Sequence, residues 1–527
     1  MSLSKVNASA ATLSKNRTEN SITALSGMCT TCIDGCIGMC EIGKSAYRGH
    51  EVLYPQPFGL ISTASEKTYP VDYSHFSIMG TTVGAAGIEP DSNKATFSAV
   101  NLETRLGRDQ GIKLKLPMLI CGMGSTRVAS VNWEGLAVGA ALAGIIATIG
   151  ENVSGMDPDA VIKQGKVVKS PELAKRIRLF QEWQTGGYGD IAVQANVEDT
   201  GLGVHEYALQ ELGVRIVELK WGQGAKDIGG EVKISNLDWA IELKKRGYIV
   251  LPDPENPLVA KKFERGDFKE FERHSRINMV ELEQFVNRVN ELRQAGARYI
   301  FLKTGAYRPA DLARAVKYSS LAGIDVLTID GAGGGTGMSP WRMMNEWGVP
   351  PVELHTLAHR ACSFLAGKGE HVPDIVFAGG FAMEDQAFKG LALGAPYVKA
   401  IGMARAPLTA AMVAKTLGRH IDEKILPVYV ERFGKDREQI FVTAAELKHL
   451  LGPERFEEVP TAALGVYTFY EKLTQGLKQI MCGSRKFAVP YISRDDIAAL
   501  TRQANDVSGI PYIMETDHED FERILEG

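Results

Sequence analysis

A glycine-rich loop that follows a short apolar run has the composition of a ligand-binding turn. The run Asp325–Ile329 leads directly into Asp330-Gly-Ala-Gly-Gly-Gly-Thr-Gly337, and a helical pattern begins at Pro340. Because glycine lacks a Cβ atom, the backbone N–H groups of such a loop can come close to a flat or phosphorylated ligand. A flexible surface loop is the alternative, but the apolar flank favours a buried strand, a binding loop and a helix.

Four of the seven cysteines lie close together, at Cys29, Cys32, Cys36 and Cys40. Thiolates are soft ligands that suit iron–sulfur clusters and zinc. The compact spacing favours a [4Fe–4S] cluster, and structural zinc or a buried apolar helix face are the alternatives. The odd cysteine count is not that of a disulfide framework, and it indicates a cytoplasmic chain with a metal site.

Regular alternation of apolar and amphipathic stretches begins at Leu116. Eight apolar runs have strand length: Pro117–Met123, Gly144–Ile149, Ile191–Ala195, Arg215–Leu219, Tyr299–Leu302, Val326–Ile329, Asp374–Ala378 and Tyr397–Ile401. The stretches Glu281–Ala295 and Arg308–Leu321 have helical periodicity. This order predicts an α/β fold with a closed (β/α)8 TIM barrel, and an open doubly wound sheet is the alternative.

The segments before and after the barrel can also be assigned from the sequence. The predicted organisation is a weakly ordered arm (residues 1–28), a Cys-rich cluster-binding segment that wraps the barrel (29–94), the barrel (95–421) and a C-terminal helical extension (422–527). Helical patterns in the extension include Ala444–Leu451 and Ser493–Gln503. A further run, Tyr248–Leu251, ends in a proline pair and is not expected to be a barrel strand. The charged insert Lys261–Arg276 follows it.

Composition excludes several classes of partner. The formal net charge of −4 provides no basic face for nucleic acid. The longest apolar run, Leu136–Ile149, contains glycines and fits a buried helix followed by a strand rather than a membrane span. Residues 1–20 lack the hydrophobic segment of a secretory signal, so a cytoplasmic location is expected.

The glycine-rich loop resembles the "SGHDGGTGASP" loop of the FMN-binding barrel of glutamate synthases. The second half of that loop is kept as Gly334–Pro340, whereas Asp330, Ala332 and Gly333 stand where the family has Ser, His and Asp. Further strand ends resemble the same family: Cys121–Thr126 resembles "AMSFGALS", Gln194 the Gln of "KQVAS", Val217–Lys226 "IKIAQGAKPGEGG" and Phe301–Lys303 "VKLVSE". The resemblance implies an FMN-binding barrel with chemistry at the C-terminal strand ends.

This resemblance assigns roles to individual residues. The expected FMN contacts are Gly122, Met123, Gly124, Gln194, Lys303, Gly334, Gly335, Gly379, Gly380, Gly402, Met403, Ala404 and Arg405. Glycine turns after the last two strands form the usual phosphate site of such barrels. Lys303 would stabilise a reduced, anionic flavin ring, and Lys226 would meet a substrate carboxylate beside Gln223. Lys226 and Lys303 are therefore the expected catalytic residues. Solvated surface lysines are the alternative for both, and Cys121 is expected to be a core residue.

The implied function is that of an FMN- and iron–sulfur-dependent oxidoreductase. It would reduce a 2-imino acid, such as 2-iminoglutarate formed from 2-oxoglutarate, with electrons from a ferredoxin-like or NAD(P)H-linked donor. No stretch resembles an amidotransferase domain, so glutamine hydrolysis by this chain is not expected. The alternatives are a related barrel enzyme that transfers an amino or alkylamino group to or from glutamate, and a non-catalytic electron-transfer subunit. The expected partners are a 2-oxo or 2-amino acid and a ferredoxin or reductase subunit, in a homo-oligomer or a hetero-complex.

Overall fold

Eight parallel strands form a closed barrel in the computed structural model, which describes residues 35–36, 41–49, 69–222, 224, 231–332, 334 and 347–527. In chain order the strands are Met118–Met123, Ile146–Ile149, Asp190–Ala195, Ile216–Lys220, Tyr299–Thr304, Val326–Asp330, Asp374–Ala378 and Val398–Met403. The first strand pairs with both the second and the eighth, which closes the sheet. The predicted barrel is confirmed, and each predicted strand matches within two residues at either end.

The barrel interior is apolar at its N-terminal end and polar at its C-terminal end. Ile216, Phe301 and Val326 point inward and belong to one buried cluster. Leu106 and Leu114 of the antiparallel hairpin Thr104–Leu106/Ile112–Leu114 join this cluster and close the N-terminal end. A ligand can therefore reach the interior only at the ends where the strands finish.

Helices surround the barrel, as the alternating pattern predicts. They are Arg127–Ala143, Pro171–Gln181, Val197–Gly201, Val204–Gln210, Leu282–Gln294, Pro309–Ala322, Pro351–Ala366, Glu384–Gly394 and Arg405–Glu423. A short hairpin, Val161–Lys163/Lys166–Lys169, lies between the second and third strands. In the described part of the chain, no helix is both long enough and apolar enough to cross a membrane.

The C-terminal region packs on the barrel mainly through helices. They are Val428–Glu431, Arg437–Ile440, Ala444–Leu451, Pro453–Glu457, Thr461–Gly483, Arg502–Ser508 and His518–Glu526. The long helix Thr461–Gly483 packs against Arg127–Ala143, where a Cβ at Gly139 would lie 2.5 Å from Val466 Cβ. Glycine at this position lets the two helices approach closely.

The predicted helix Ser493–Gln503 is wrong. This stretch contains the strand Ile497–Ala499, which pairs antiparallel with Phe76–Ile78, and the next helix begins only at Arg502. The three strand residues are all buried. Their partner lies far away in the sequence, so local periodicity could not reveal the pairing.

The excursion between the fourth and fifth barrel strands forms its own small sheet. Its strands are Glu231–Ile234, Ile249–Leu251 and Phe271–His274, all antiparallel, with the helices Leu237–Lys245 and Pro257–Glu264. The run Tyr248–Leu251 is thus not a barrel strand, as predicted. The insert Lys261–Arg276 was expected only as a charged segment, yet it provides the central strand of this sheet around the buried Phe271.

Candidate functional site

Four polar side chains lie at the C-terminal end of the barrel interior. Lys303 Nζ lies 2.9 Å from Asp330 Oδ2, and Gln194 Nε2 donates to Glu218 Oε1 at 2.5 Å. All four residues are less than a tenth exposed. They come from the third to the sixth strands, where inward-facing positions alternate with outward-facing ones. The barrel mouth therefore has a floor of paired polar groups above an apolar interior.

The charges of this floor are coupled. Burial alone would lower the pKa of Lys303, but the negative charges of Asp330 and Glu218 raise it above its usual range, so the ammonium stays protonated. Burial raises the pKa of Glu218, although Lys303 opposes that shift. Burial also raises the pKa of Cys121 to about 12, which keeps the thiol protonated. Cys121 is thus a buried core residue, as expected.

Sequence reasoning missed Glu218 and Asp330 as site residues. Each had a visible signal, because a charged residue within or directly after an apolar strand must find a partner when it is buried. Glu218 is flanked by Val217 and Leu219, and Asp330 follows Ile329. What the sequence could not provide was the partner of each carboxyl group across the barrel.

Most of the predicted cofactor residues line one small cavity of about 60 Å³, here called the glycine-turn cavity. Its lining includes Gly122, Lys303, Asp330, Gly334, Gly379, Gly380, Gly402, Met403, Ala404 and Arg405. Gly379 has a φ of +111°, and a Cβ there would lie 2.5 Å from the backbone N of Gly331. Residues with a side chain are therefore disfavoured at this turn both by φ and by space.

Three predicted contacts lie outside this lining. Gln194 lies behind Gly122, where an added Cβ would be 3.0 Å from the Gln194 amide. Met123 is buried in the apolar core, and a Cβ at Gly124 would be 2.3 Å from Glu151 O. Packing alone therefore explains why a methionine stands at position 123 and a glycine at position 124, and no ligand contact is needed to explain either residue.

The start of the helix after the eighth strand has features that favour an anion. The helix Arg405–Glu423 begins there, and its first turn contains no acidic residue. By contrast, the helix after the seventh strand begins with Glu384 and Asp385. The buried Arg405 and the free N-terminal end of the helix dipole both favour a bound anion. The glycine-turn cavity and this helix start fit a phosphate group.

The loops after the fourth and sixth strands pack directly on each other. A Cβ at Gly224 would lie 1.9 Å from Gly331 O and 2.5 Å from Gly334 O. Gln223, Lys226 and Gly335 lie outside the described residues, so their predicted roles stay predictions. The contact therefore places Gly224 of the fourth-strand loop directly against Gly331 and Gly334 of the sixth-strand loop.

One cysteine of the predicted cluster is described. Cys36 is half-buried, and its backbone N donates to Thr416 Oγ1 at 3.2 Å on the helix Arg405–Glu423. Cys29, Cys32 and Cys40 lie outside the described residues. Among the residues described, no three His, Cys, Asp or Glu side chains group in a way that could hold a metal ion. The [4Fe–4S] cluster stays a prediction.

Part of the barrel is similar to a known protein family. Residues 272–419 match the family described as the conserved region in glutamate synthase. A search of curated protein sequences gives no match. Similar solved structures include a mutant flavocytochrome b2 with pyruvate bound (12% identity, 85% of this chain and 81% of that chain, TM-score 0.47). Another is the flavin-binding domain of baker's yeast flavocytochrome b2 (11% identity, 82% and 78%, TM-score 0.44). A third is a mutant chimera of (S)-mandelate dehydrogenase (13% identity, 81% and 88%, TM-score 0.45).

The family match covers the fifth to eighth barrel strands and the helix that follows them. These strands carry Lys303, Asp330 and both glycine turns. The half of the barrel that carries these residues is therefore similar to the conserved region in glutamate synthase.

Proposed function

We propose that this chain is an FMN-dependent oxidoreductase that reduces the C=N bond of a 2-imino acid to an amino acid. The observation that carries the proposal is the glycine-turn cavity, which joins an anion site to the buried Lys303–Asp330 pair. The family match supports the assignment, because it falls on the residues that build this cavity. FMN has one phosphate, which the start of the helix Arg405–Glu423 would accommodate.

The residues present fit the phosphate end of an FMN site. Arg405 and the helix N-terminus would hold the phosphate, and Gly379, Gly380 and Gly402 would let a flat group approach the backbone. When bound, FMN would collect electrons from the donor and supply a hydride to the substrate. Lys303 places a fixed positive charge in a buried site, so it stabilises negative charge that develops there during reduction.

Reduction of an imine also requires a proton at nitrogen. Glu218 is a candidate to store that proton, because burial raises the pKa of its carboxyl group. Gln194 holds this carboxyl in place through its side-chain amide. Lys226, predicted on the fourth-strand loop, would neutralise a substrate carboxylate and orient the reacting carbon.

A second function is favoured by one specific observation. Asp330 stands where the glutamate synthase loop has Ser, and it forms an ion pair with Lys303. A carboxylate at this position offsets the positive charge that would otherwise favour reduction. Transfer of an amino or alkylamino group to or from glutamate, without net reduction, is the activity that fits this difference.

Electrons are proposed to enter through an iron–sulfur cluster at Cys29, Cys32, Cys36 and Cys40. Cys36 contacts the same helix whose N-terminus lies at the glycine-turn cavity. Arg405 and Thr416 are separated by roughly 17 Å along this helix at 1.5 Å per residue. A ferredoxin-like protein or a reductase subunit would reduce the cluster.

The cofactor assignment is tested by extraction. Protein purified anaerobically is denatured, and the released flavin is separated by chromatography against FMN and FAD standards. We expect about one FMN per chain. FAD in place of FMN, or a protein that takes up no flavin on reconstitution, would contradict the proposal.

A further inference from the structure

A second cavity of about 520 Å³ lies beside the glycine-turn cavity, and we call it the strand-end cavity. It is lined by the ends of the second to fifth barrel strands and by residues 276–280, here called the roof segment. Lys220 lies at its edge and is the register neighbour of Lys303 in the fifth strand. Lys303 of the fifth strand lines the glycine-turn cavity and the next residue, Thr304, lines the strand-end cavity, so the two cavities are close together at the fifth strand.

One wall of the strand-end cavity is aromatic and fixed. Trp221 and Tyr307 line it, and the Tyr307 hydroxyl donates to Trp221 O at 3.0 Å. The Trp221 ring packs edge-on against Phe285, with ring centroids 4.9 Å apart. Ring packing and a hydrogen bond already hold this wall in place. Few side chains would therefore have to be immobilised when an apolar group binds against it.

The roof segment adds aliphatic side chains. Ile277, Met279 and Val280 line the cavity, and Met279 is 77% exposed. The segment is anchored where it starts, because the backbone N of Arg276 donates to Glu198 Oε1 at 2.7 Å. Adjacent exposed aliphatic residues over a cavity mark a binding surface more often than a surface without function.

The charged residues of the lining favour one negative group. Lys220, Arg276 and Arg314 line the cavity together with Glu151 and Asp311, so its lining has one net positive charge. Lys220 is paired with Glu151 at 2.8 Å, and Arg314 with Asp311. The acidic partner of Arg276, Glu198, lies outside the lining. Arg276 is therefore the cation whose charge is least balanced within the cavity itself.

We propose that the strand-end cavity binds a 2-oxo or 2-amino acid, with its 1-carboxylate toward Arg276 and a branched or aromatic side chain, rather than a second carboxylate, against the apolar walls. This rests on the proposed function, because the reacting carbon would lie at the adjoining glycine-turn cavity. A volume of about 520 Å³ with aromatic and aliphatic walls falls in the range of sites for drug-sized ligands. A small dicarboxylate would leave most of this apolar surface without contact.

Calorimetric titration of the protein as purified tests the proposal, with pyruvate, 2-oxoglutarate, 4-methyl-2-oxopentanoate and phenylpyruvate as probes. The affinity is expected to rise about fourfold for each additional methylene that is buried. Met279→Ser and Val280→Ser should each weaken binding of the two apolar acids more than they weaken binding of pyruvate. Val428→Ser is the matched control, because Val428 is 83% exposed and does not line the cavity.

Tighter binding of 2-oxoglutarate than of either apolar acid would overturn the proposal. The same conclusion would follow if the roof variants left every affinity unchanged, or if none of the acids bound. The flavin content of the same samples separates the two claims. FMN with a flat affinity series contradicts only the cavity assignment. A rising series in a protein that cannot hold FMN contradicts only the proposed function.

Discussion

Lys303 and Asp330 form a buried ion pair across the fifth and sixth barrel strands, with Lys303 Nζ 2.9 Å from Asp330 Oδ2. Both side chains are less than a tenth exposed. Both residues line the glycine-turn cavity, so a charged group bound in this cavity would interact electrostatically with both of them. The site thus presents a lysine whose charge is balanced in the resting protein, and loss of either partner would leave a buried charge alone.

Asp330→Asn should destabilise the protein by about 3–5 kcal/mol, because it removes the ion-pair partner of the buried Lys303 ammonium. Urea unfolding at neutral pH measures the change. The double variant Lys303→Met, Asp330→Asn should lose less stability than Asp330→Asn alone, since it removes both charges. Equal losses in the single and double variants would show that the ion pair itself contributes nothing.

Gly379→Ala should remove most of the bound FMN. Its Cβ would lie 2.5 Å from Gly331 N at a φ of +111°. Gly247→Ala is the matched control, because Gly247 has a φ of +95° but no atom within 4 Å of the added Cβ. Both variants carry a backbone penalty of about 1–3 kcal/mol. Flavin content measured on both proteins isolates the effect of the turn, and equal content in the two would exclude Gly379 from the cofactor site.

Stability should depend on pH through Asp199. Burial raises the pKa of Asp199 to about 7, and its Oδ2 accepts a hydrogen bond from the backbone N of Asn152 at 2.7 Å. A carboxyl group with a raised pKa stabilises the folded state below its unfolded pKa, and this contribution is lost as pH rises through 7. Between pH 5 and 8 the protein should lose about 3 kcal/mol relative to Asp199→Asn. Parallel stability curves for the two proteins would contradict this.

Lys226→Ala should leave FMN bound but weaken turnover by about 2–5 kcal/mol in transition-state free energy, the effect expected for a desolvated charge pair. Steady-state kinetics with a carboxylate substrate, beside flavin content, measure the two effects. Lys269→Ala replaces an exposed lysine of the excursion and serves as the control. Unchanged kinetics would remove Lys226 from the site, and loss of flavin would reassign it to the cofactor.

Cys36→Ser should lower the iron content of anaerobically purified protein, which is expected to be about four irons per chain. Cys482→Ser is the control, because Cys482 is also a half-buried cysteine but lies outside the cysteine motif. Metal analysis of the three proteins gives the answer. Zinc as the dominant metal, or iron that is unaffected by Cys36→Ser, would reject the cluster assignment.

The barrel could be predicted because each strand is a short apolar run that ends in glycine or a polar residue. The same strand ends pointed to Lys303 and to the glycine turns. The pairing of Lys303 with Asp330, by contrast, depends on the register between neighbouring strands, which the sequence does not display. Glu218 was hidden for a related reason, since its hydrogen bond to Gln194 crosses from one strand to the next.

Long-range pairing also explains the errors outside the barrel. The strand Ile497–Ala499 forms through its pairing with Phe76–Ile78. The local sequence does not contain this information, and its pattern alone predicts a helix. The sheet of the excursion is formed by short strands separated by helices, and its central strand lies within a charged insert. The strand-end cavity arises only when this excursion folds back over the barrel strands and places the roof segment there.

The central claim is that the barrel mouth holds a flavin that reduces a 2-imino acid. The most direct measurement reduces the purified protein anaerobically and then follows flavin absorbance after 2-oxo acid and ammonium are added together. Rapid reoxidation that requires both additions is expected, with formation of the matching amino acid in equal amount. A reduced flavin that stays reduced with every 2-oxo acid tested, in a protein that contains FMN, would contradict it.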